Sequence, residues 1–238
     1  MKKVIEISTA AATLLCLFGC ANDLTSQNDP YEDTNRSVFA LNQRFDQSIT
    51  RPVAVFYTHA LPEDARNSVH NALANLAAPV TFLNDVLQGD ASRASETLGR
   101  FSINSTLGVA GLFDVASDFD IPGHTADFGQ TLAVYGVSDG PYLVLPFLGP
   151  DNPRDLTGQI VDIFFDPTTY LTFSGDIYWS GGRSVMSVVD LRSRNIGTVD
   201  NLESASIDLY AATRSLYRQY RQRKIRKGQI TIESLPDL

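Results

Sequence analysis

Apolar and polar positions along the 238-residue chain fall mostly into a helical rhythm. Val38, Leu41, Phe45 and Ile49 recur at three-to-four spacing, which predicts a helix with these four on one face, broken near Pro52. Pro62-Glu63-Asp64 reads as the first turn of the next helix, because proline pre-sets φ and two acids meet the positive end of the dipole. Val69, Ala72, Leu73 and Leu76 then share a face. Pro79 is expected to restart a helix through Val80, Leu83 and Leu87, closed by Gly89 where a left-handed cap is wanted. A further helix is predicted over 91–107, with Leu98 and Phe101 inward.

Between 108 and 153 the rhythm stops. Glycines and prolines interrupt every periodic run there, so regular helix is excluded and an irregular loop is expected. The run Pro141-Tyr142-Leu143-Val144-Leu145-Pro146-Phe147-Leu148 is apolar enough to be either a buried irregular core segment or a functional loop. Helical signal resumes over 155–165 and again after Gly181. Asp200-Asn201-Leu202-Glu203 looks like a capping box opening the last helix, with Leu202, Ala205, Leu209, Ala212, Leu216 and Tyr220 on its inner face. Arg218, Arg221, Arg223, Lys224, Arg226 and Lys227 precede Gly228. These cations either offset the helix dipole or meet anionic headgroups or an acidic partner.

The first twenty residues have the anatomy of a leader. Lys2 and Lys3 precede an apolar run from Val4 to Phe18, too short to span a bilayer, and Leu17-Phe18-Gly19-Cys20 forms a lipobox. Cleavage is expected before Cys20, leaving residues 1–19 as signal peptide and Cys20 as the lipidated residue. Each buried acyl methylene contributes roughly 0.8 kcal/mol, so two or three chains on Cys20 would anchor the protein almost permanently. Ala21 stands where an aspartate would favour the inner membrane, which points to the periplasmic side of the outer membrane. Residues 20–29 read as a polar tether, 30–228 as a single domain and 229–238 as a short tail.

A formal net charge of −8, with one basic cluster near the C-terminus, argues against nucleic acid as a partner. Cys16 and Cys20 are the two cysteines, so the mature domain is expected to hold no disulfide or thiolate metal site. Gly136-Val137-Ser138-Asp139-Gly140 matches the nucleophile elbow of a hydrolase, but prolines follow closely and His59, His70 and His124 all precede Ser138. A lipid esterase therefore rests on Ser138 alone. Asp114, Asp118, Asp120, His124 and Asp127 match no calcium-loop spacing and are expected to be a solvated acidic loop. Nucleotide, dinucleotide and zinc-protease motifs are missing, and no enzyme, cofactor or metal is expected.

Several ordered blocks resemble the MlaA (VacJ) family of outer-membrane lipoproteins. They begin with Asp29-Pro30-Tyr31-Glu32, Asn35-Arg36 and Arg51-Pro52-Val53-Ala54, and continue through Leu87-Gln88-Gly89-Asp90 and Asn104-Ser105-Thr106-Leu107-Gly108. The most distinctive are Asp127-Phe128-Gly129-Gln130-Thr131-Leu132, Gly140-Pro141-Tyr142 and Leu145-Pro146-Phe147-Leu148-Gly149-Pro150; together the blocks cover about residues 29 to 165. The resemblance implies an all-α fold: a ring of amphipathic helices lying in the inner leaflet of the outer membrane around a polar channel, with an irregular Gly/Pro-rich hairpin loop in its middle. It further implies removal of mislocalised phospholipid from the outer leaflet, keeping the membrane asymmetric. The implied partners are phospholipid, a trimeric outer-membrane porin and a soluble periplasmic phospholipid carrier.

By the same resemblance, the segment holding Gly129, Tyr135, Gly136, Gly140, Pro141 and Pro146 matches a flexible hairpin that lines and gates the channel. Phe39, Leu41, Asn42, Phe45 and Asp46 match a segment close to that channel. A structural lipoprotein that docks on a porin without moving lipid is the alternative reading.

Overall fold

The computed structural model describes residues 29–172 and 176–227. Cys20, the signal peptide, most of the tether and the tail over 229–238 lie outside the described residues.

The fold is all-α apart from one small hairpin. Helices α1 (Glu32–Phe45) and α2 (Arg51–Ala60) run into one another through a π-helical turn, Asp46–Thr50. The expected break at Pro52 is therefore absent. Proline cannot donate to the helical ladder and crowds the carbonyl four residues back; the wider turn just before it, in which the Arg51 N–H reaches the Asp46 carbonyl, absorbs the misfit. Helix α3 (Glu63–Leu87) likewise runs straight through Pro79, so the predicted restart is a single long helix. Gly89 closes it with φ +70°, as expected of a left-handed glycine cap.

Helix α4 (Ala91–Thr106) doubles back on α3, its N-terminus capped by the Asp90 side chain. The irregular middle contains a 3-10 turn (Val115–Phe119), the short helix α5 (Phe128–Val134), and strands β1 (Leu143–Leu145) and β2 (Gly149–Asp151), paired antiparallel with Val144 opposite Pro150. Regular helix is thus present in a stretch expected to exclude it, because Gly129 serves packing there rather than bending. Helix α6 (Pro153–Phe165) follows, then α7 (Asp176–Arg194), α8 (Ile196–Ala205) and α9 (Leu209–Ile225). The last helix does not open at the Asp200 box. Its cap is Asp208, which accepts from Ala211 N–H, while Asp200 pairs with Arg51.

Packing closes a circuit. Helix α2 packs on α7, α7 on α3, α3 on α5 and α6, α5 on α9, α9 on β2, and β1 on α1, which is continuous with α2. The helices therefore form a ring. A compact apolar cluster, Tyr142, Val144 and Tyr210 with Val38, Phe39 and Tyr217 against it, joins hairpin, α1 and α9. Asp29, placed at the end of the tether by composition, is instead buried under this cluster, accepting from Tyr210, Arg214 and Asn35.

Burial in the ring is inverted. Asn84 and Asp85 are 0 % exposed and Asn35, Thr131, Asp151 and Asp190 nearly so, whereas Leu41, Ile49, Phe56, Leu98, Val185, Leu191 and Leu216 face outward. Leu98 does not point inward as predicted, but Phe101 lines the interior together with Thr97 and Asn104, on the stripe that begins at Ala94. The Leu216–Tyr220 face of α9 is also outward, and Tyr210 and Arg214 are the buried residues. Among the described residues, no helix is long and apolar enough to cross a membrane.

Candidate functional site: a polar interior beside a clamped hairpin

The inward face of α3 builds the polar interior. Asn84 donates to Asp162 at 2.7 Å and accepts from the Thr131 hydroxyl at 2.8 Å, while Gln88 donates to Thr131 at 3.1 Å. The next residue after Asn84, Asp85, accepts from Thr97 at 2.7 Å and lies 2.9 Å from His124 Nε2. Burying such groups unpaired is costly, so the network fixes α3 against α4, α5 and α6 in one arrangement.

Two cavities flank this face. The smaller, of about 390 Å³, is lined by Asn75, Thr97, Arg100, Asn104, Asp114 and His124 among others. The larger, of about 920 Å³, lies between α3, α6 and α7 and presents Gln159, Asp162, Asp166, Thr168, Arg183 and Ser187. Ala77, Thr81 and Thr125 line both, so the two adjoin inside the ring.

Electrostatics around the cavities are divided. Burial raises the Asp162 carboxyl, since its hydrogen bonds come from neutral donors, Phe128 N–H and Asn84. Burial also raises Asp151. For Asp127 burial acts the same way, but the hydrogen bonds and charge of Arg221 outweigh it and bring the carboxyl down to about 2. Arg221 reaches both Asp127 at 2.8 Å and Asp155 at 2.7 Å, tying α9 to α5 and α6.

The hairpin is held by α1. Asn35 donates to the Tyr142 carbonyl at 3.0 Å and accepts from Val144 N–H at 2.9 Å. Two turns along, Asn42 donates to the Leu145 carbonyl at 2.9 Å and accepts from Phe147 N–H at 2.8 Å. Asn35 thus serves the edge of β1 that β2 leaves free, and Asn42 closes the turn. Phe45 adds an edge-on ring contact with Phe147 at 4.9 Å.

The expected hairpin residues are distributed more widely than the strands. Gly129 lies within α5 and faces Gly158 of α6 so closely that a Cβ at Gly158 would meet the Gly129 nitrogen at 2.2 Å. Tyr135 ends α5 and its hydroxyl donates to the Leu87 carbonyl at 2.7 Å. Gly136 and Gly140 adopt φ +84° and +74°, conformations glycine takes without strain. Pro141 and Pro146 bracket β1. Of the α1 segment, Phe39 packs edge-on against Tyr210, Asn42 and Phe45 hold the hairpin, Asp46 pairs with Arg192 at 2.9 Å, and Leu41 faces outward.

Ser138 sits in the exposed loop between Gly136 and Gly140, and each histidine bonds elsewhere: His59 to the Val55 carbonyl, His70 to Asp190, His124 to Asp85. The acidic loop is only partly solvated. Asp118 and Asp120 are exposed, but Asp114 is gripped by Arg100 and Asn104, and Asp127 by Arg221. Among the described residues, no three His, Cys, Asp or Glu side chains gather as metal ligands. Several of the basic residues in and just after α9 are likewise committed: Arg221 as above, Lys224 to Thr125 and, beyond the helix end, Lys227 to Asp90.

A family model described as MlaA lipoprotein matches residues 27–224. The chain belongs to the MlaA lipoprotein family. It is 32% identical to the intermembrane phospholipid transport system lipoprotein MlaA of Haemophilus influenzae, over 99% of this chain and 97% of that one. The MlaA of Escherichia coli is 33% identical, over 90% of this chain and 86% of its own length. A solved MlaA structure, from work on the maintenance of bacterial outer membrane lipid asymmetry, superposes with a TM-score of 0.74 at 35% identity, covering 83% of this chain and 98% of that one. The MlaA match reaches well past residue 165, where the recognisable sequence blocks end.

Sequence reading missed Asn35, Asn84, Asp85, Thr131 and Arg221 as the interior. A signal existed: Asn35 and Asn42, seven residues apart, share one helical face, and Phe45 follows Asn42 about one turn on along the same side.

Proposed function

We propose that this chain takes phospholipids mislocalised to the outer leaflet of the outer membrane and passes them through the polar interior of the ring to a soluble periplasmic carrier. The observation that carries this is the inverted burial, Asn84 and Asp85 inside and Phe56 and Leu98 outside, around two adjoining cavities into which polar and charged side chains such as Arg100, Asp162 and Arg183 reach. A headgroup is costly to drag through hydrocarbon and an acyl tail costly to expose to water. A ring that is polar within and apolar without lowers the first cost while remaining seated in lipid. The names of the Haemophilus influenzae and Escherichia coli relatives support the same reading.

In this proposal Cys20 carries the lipid anchor and a trimeric porin holds the ring in the outer membrane. The hairpin gates the channel by bending at Gly136 and Gly140, and the Phe39–Asp46 segment of α1 sets its resting position through Asn42 and Phe45. No covalent chemistry is involved.

The test is outer-leaflet phospholipid in cells lacking the gene, complemented with wild-type protein, Cys20→Ala, or the Gly136→Val/Gly140→Val pair. Deletion is expected to raise it, and only wild type to restore it fully. An unchanged level on deletion would leave the structural, porin-associated lipoprotein as the better reading, and full rescue by the double valine variant would remove the bending role.

A further inference from the structure

Residues 107–113, Leu-Gly-Val-Ala-Gly-Leu-Phe, carry no polar side chain, yet they form a loop, and Leu107, Val109, Leu112 and Phe113 project from it, all exposed. Six of their seven backbone N–H groups close on carbonyls of the chain itself: Leu107 and Gly108 on Ile103, Ala110 on Ser105, Gly111 on Asn104, Leu112 on Val109 and Phe113 on Gly108. In water a loop has no need of such closure, since solvent serves its N–H groups. In hydrocarbon the closure is compulsory.

The backbone is arranged to expose apolar bulk rather than avoid it. Val109 and Ala110 stand at φ 52° and 56°, a region where a branched side chain is strained and glycine would fit. The glycines are spent where there is no room: a Cβ at Gly108 would meet the Phe113 carbonyl oxygen at 2.2 Å, and one at Gly111 the Asn75 Cβ at 2.5 Å. Directly after the loop, Asp114 is neutralised by both nitrogen–oxygen contacts of Arg100 at 2.7 Å, so no bare charge borders the apolar tip. The loop also touches the rim of the smaller cavity, through Gly111 on Asn75 and an Asn71 amide donating to the Leu112 carbonyl.

We propose that residues 107–113 are a lipid-binding tip that lies among phospholipid acyl chains beside the smaller cavity, so that tails stay in hydrocarbon where a headgroup enters. This rests on the membrane-seated ring proposed above. It adds a particular surface and the chemistry it contacts, acyl chain rather than headgroup or protein.

The chain's only tryptophan, Trp179, is exposed on α7 and supplies an internal control. The full chain is reconstituted into vesicles of phosphatidylethanolamine and phosphatidylglycerol whose acyl chains carry bromine, a contact quencher of indole. Wild type reports on α7; Val109→Trp and Leu107→Trp, each in a Trp179→Phe background, report on the tip. Quenching of the tip tryptophans is expected, in at least one variant with unaltered helical circular dichroism. Quenching of Trp179 but of neither tip residue overturns this inference and leaves the membrane-seated ring standing, whereas quenching of none overturns both. Val109→Gly relieves the backbone strain, so a tip without a membrane role would gain stability and lose nothing. The expected result, read in a Cys20→Ala background so that acyl anchoring does not mask it, is about tenfold weaker partition into the same vesicles, the effect of withdrawing one aliphatic side chain from an apolar medium.

Discussion

Asn42 holds both sides of the hairpin turn at once, donating to the Leu145 carbonyl at 2.9 Å and accepting from the Phe147 N–H at 2.8 Å. Asn42→Leu removes both bonds while keeping a helix-favouring residue of similar size, and should free the turn without disturbing α1. The loss is expected to be about 1–3 kcal/mol, local to the turn. Hydrogen exchange would show it as faster exchange at Phe147 with Val144, still held by Asn35, little changed. Asn42→Asp keeps the acceptor and should fall between.

Gly129 and Gly158 form a backbone-to-backbone crossing of α5 and α6. Gly158→Ala would place a carbon 2.2 Å from the Gly129 nitrogen, so the helices must separate. Overpacking of this kind costs about 1–3 kcal/mol or more, seen as a lower denaturation midpoint. Gly136→Ala meets nothing within 4 Å and incurs only the strain of φ +84°, roughly 1–2 kcal/mol confined to a loop. If the two variants unfold alike, the crossing is not tight.

How much of this was legible in the sequence depends on what was asked of it. Helix positions, the Gly89 cap and the family blocks were readable, because spacing and cap chemistry are local. Which face is inside was not. The periodicity of Leu209 with Leu216 defines an axis across a helix but not its sign; the inward sign assumes water outside and an apolar core within. On α9 the inward side is made by Arg214 and Arg221, and the sign reverses. Proline was misread for a related reason: Pro52 and Pro79 end helices only where nothing nearby accommodates them, and the π-turn before Pro52 depends on α1 and α2 being held by the hairpin and α7. The Asn35–Asn42 clamp joins residues more than a hundred positions apart, beyond any local rule.

The interior network makes opposite predictions for two of its members. Asn84→Leu leaves Asp162 and the Thr131 hydroxyl short of a partner, at a cost of about 1–3 kcal/mol for each orphaned group. Asp162→Asn keeps an oxygen for both Phe128 N–H and Asn84 and removes a buried charge that burial already disfavours. That variant should be neutral or slightly stabilising near pH 7. Chemical denaturation of the two beside wild type checks the contrast, and a strongly destabilised Asp162→Asn would mean that the charge itself is needed.

Arg221 makes the last prediction one of pH. It is 12% exposed at its side chain and faces two carboxylates, Asp127 and Asp155, from the middle of α9. Burial would raise Asp127, but Arg221 brings it down to about 2 from an ordinary 3.8. A depressed acid contributes stability that is present above its unfolded value and disappears as pH falls through the folded one, here between about pH 4 and pH 2; the lowered Asp155 acts with the same sign. Asp151 and Asp162, raised by burial, act oppositely, favouring the fold below their unfolded values. Arg221→Met takes their shared cation from the half-buried Asp127 and the buried Asp155, Arg154 remaining against Asp155, and is expected to cost about 3 kcal/mol at neutral pH. At pH 3 the variant's carboxylates take up protons and the orphaned charge vanishes. The gap between wild type and variant in urea midpoint should therefore narrow steadily from pH 7 to pH 3, and a gap constant across that range would show that Arg221 acts by packing alone.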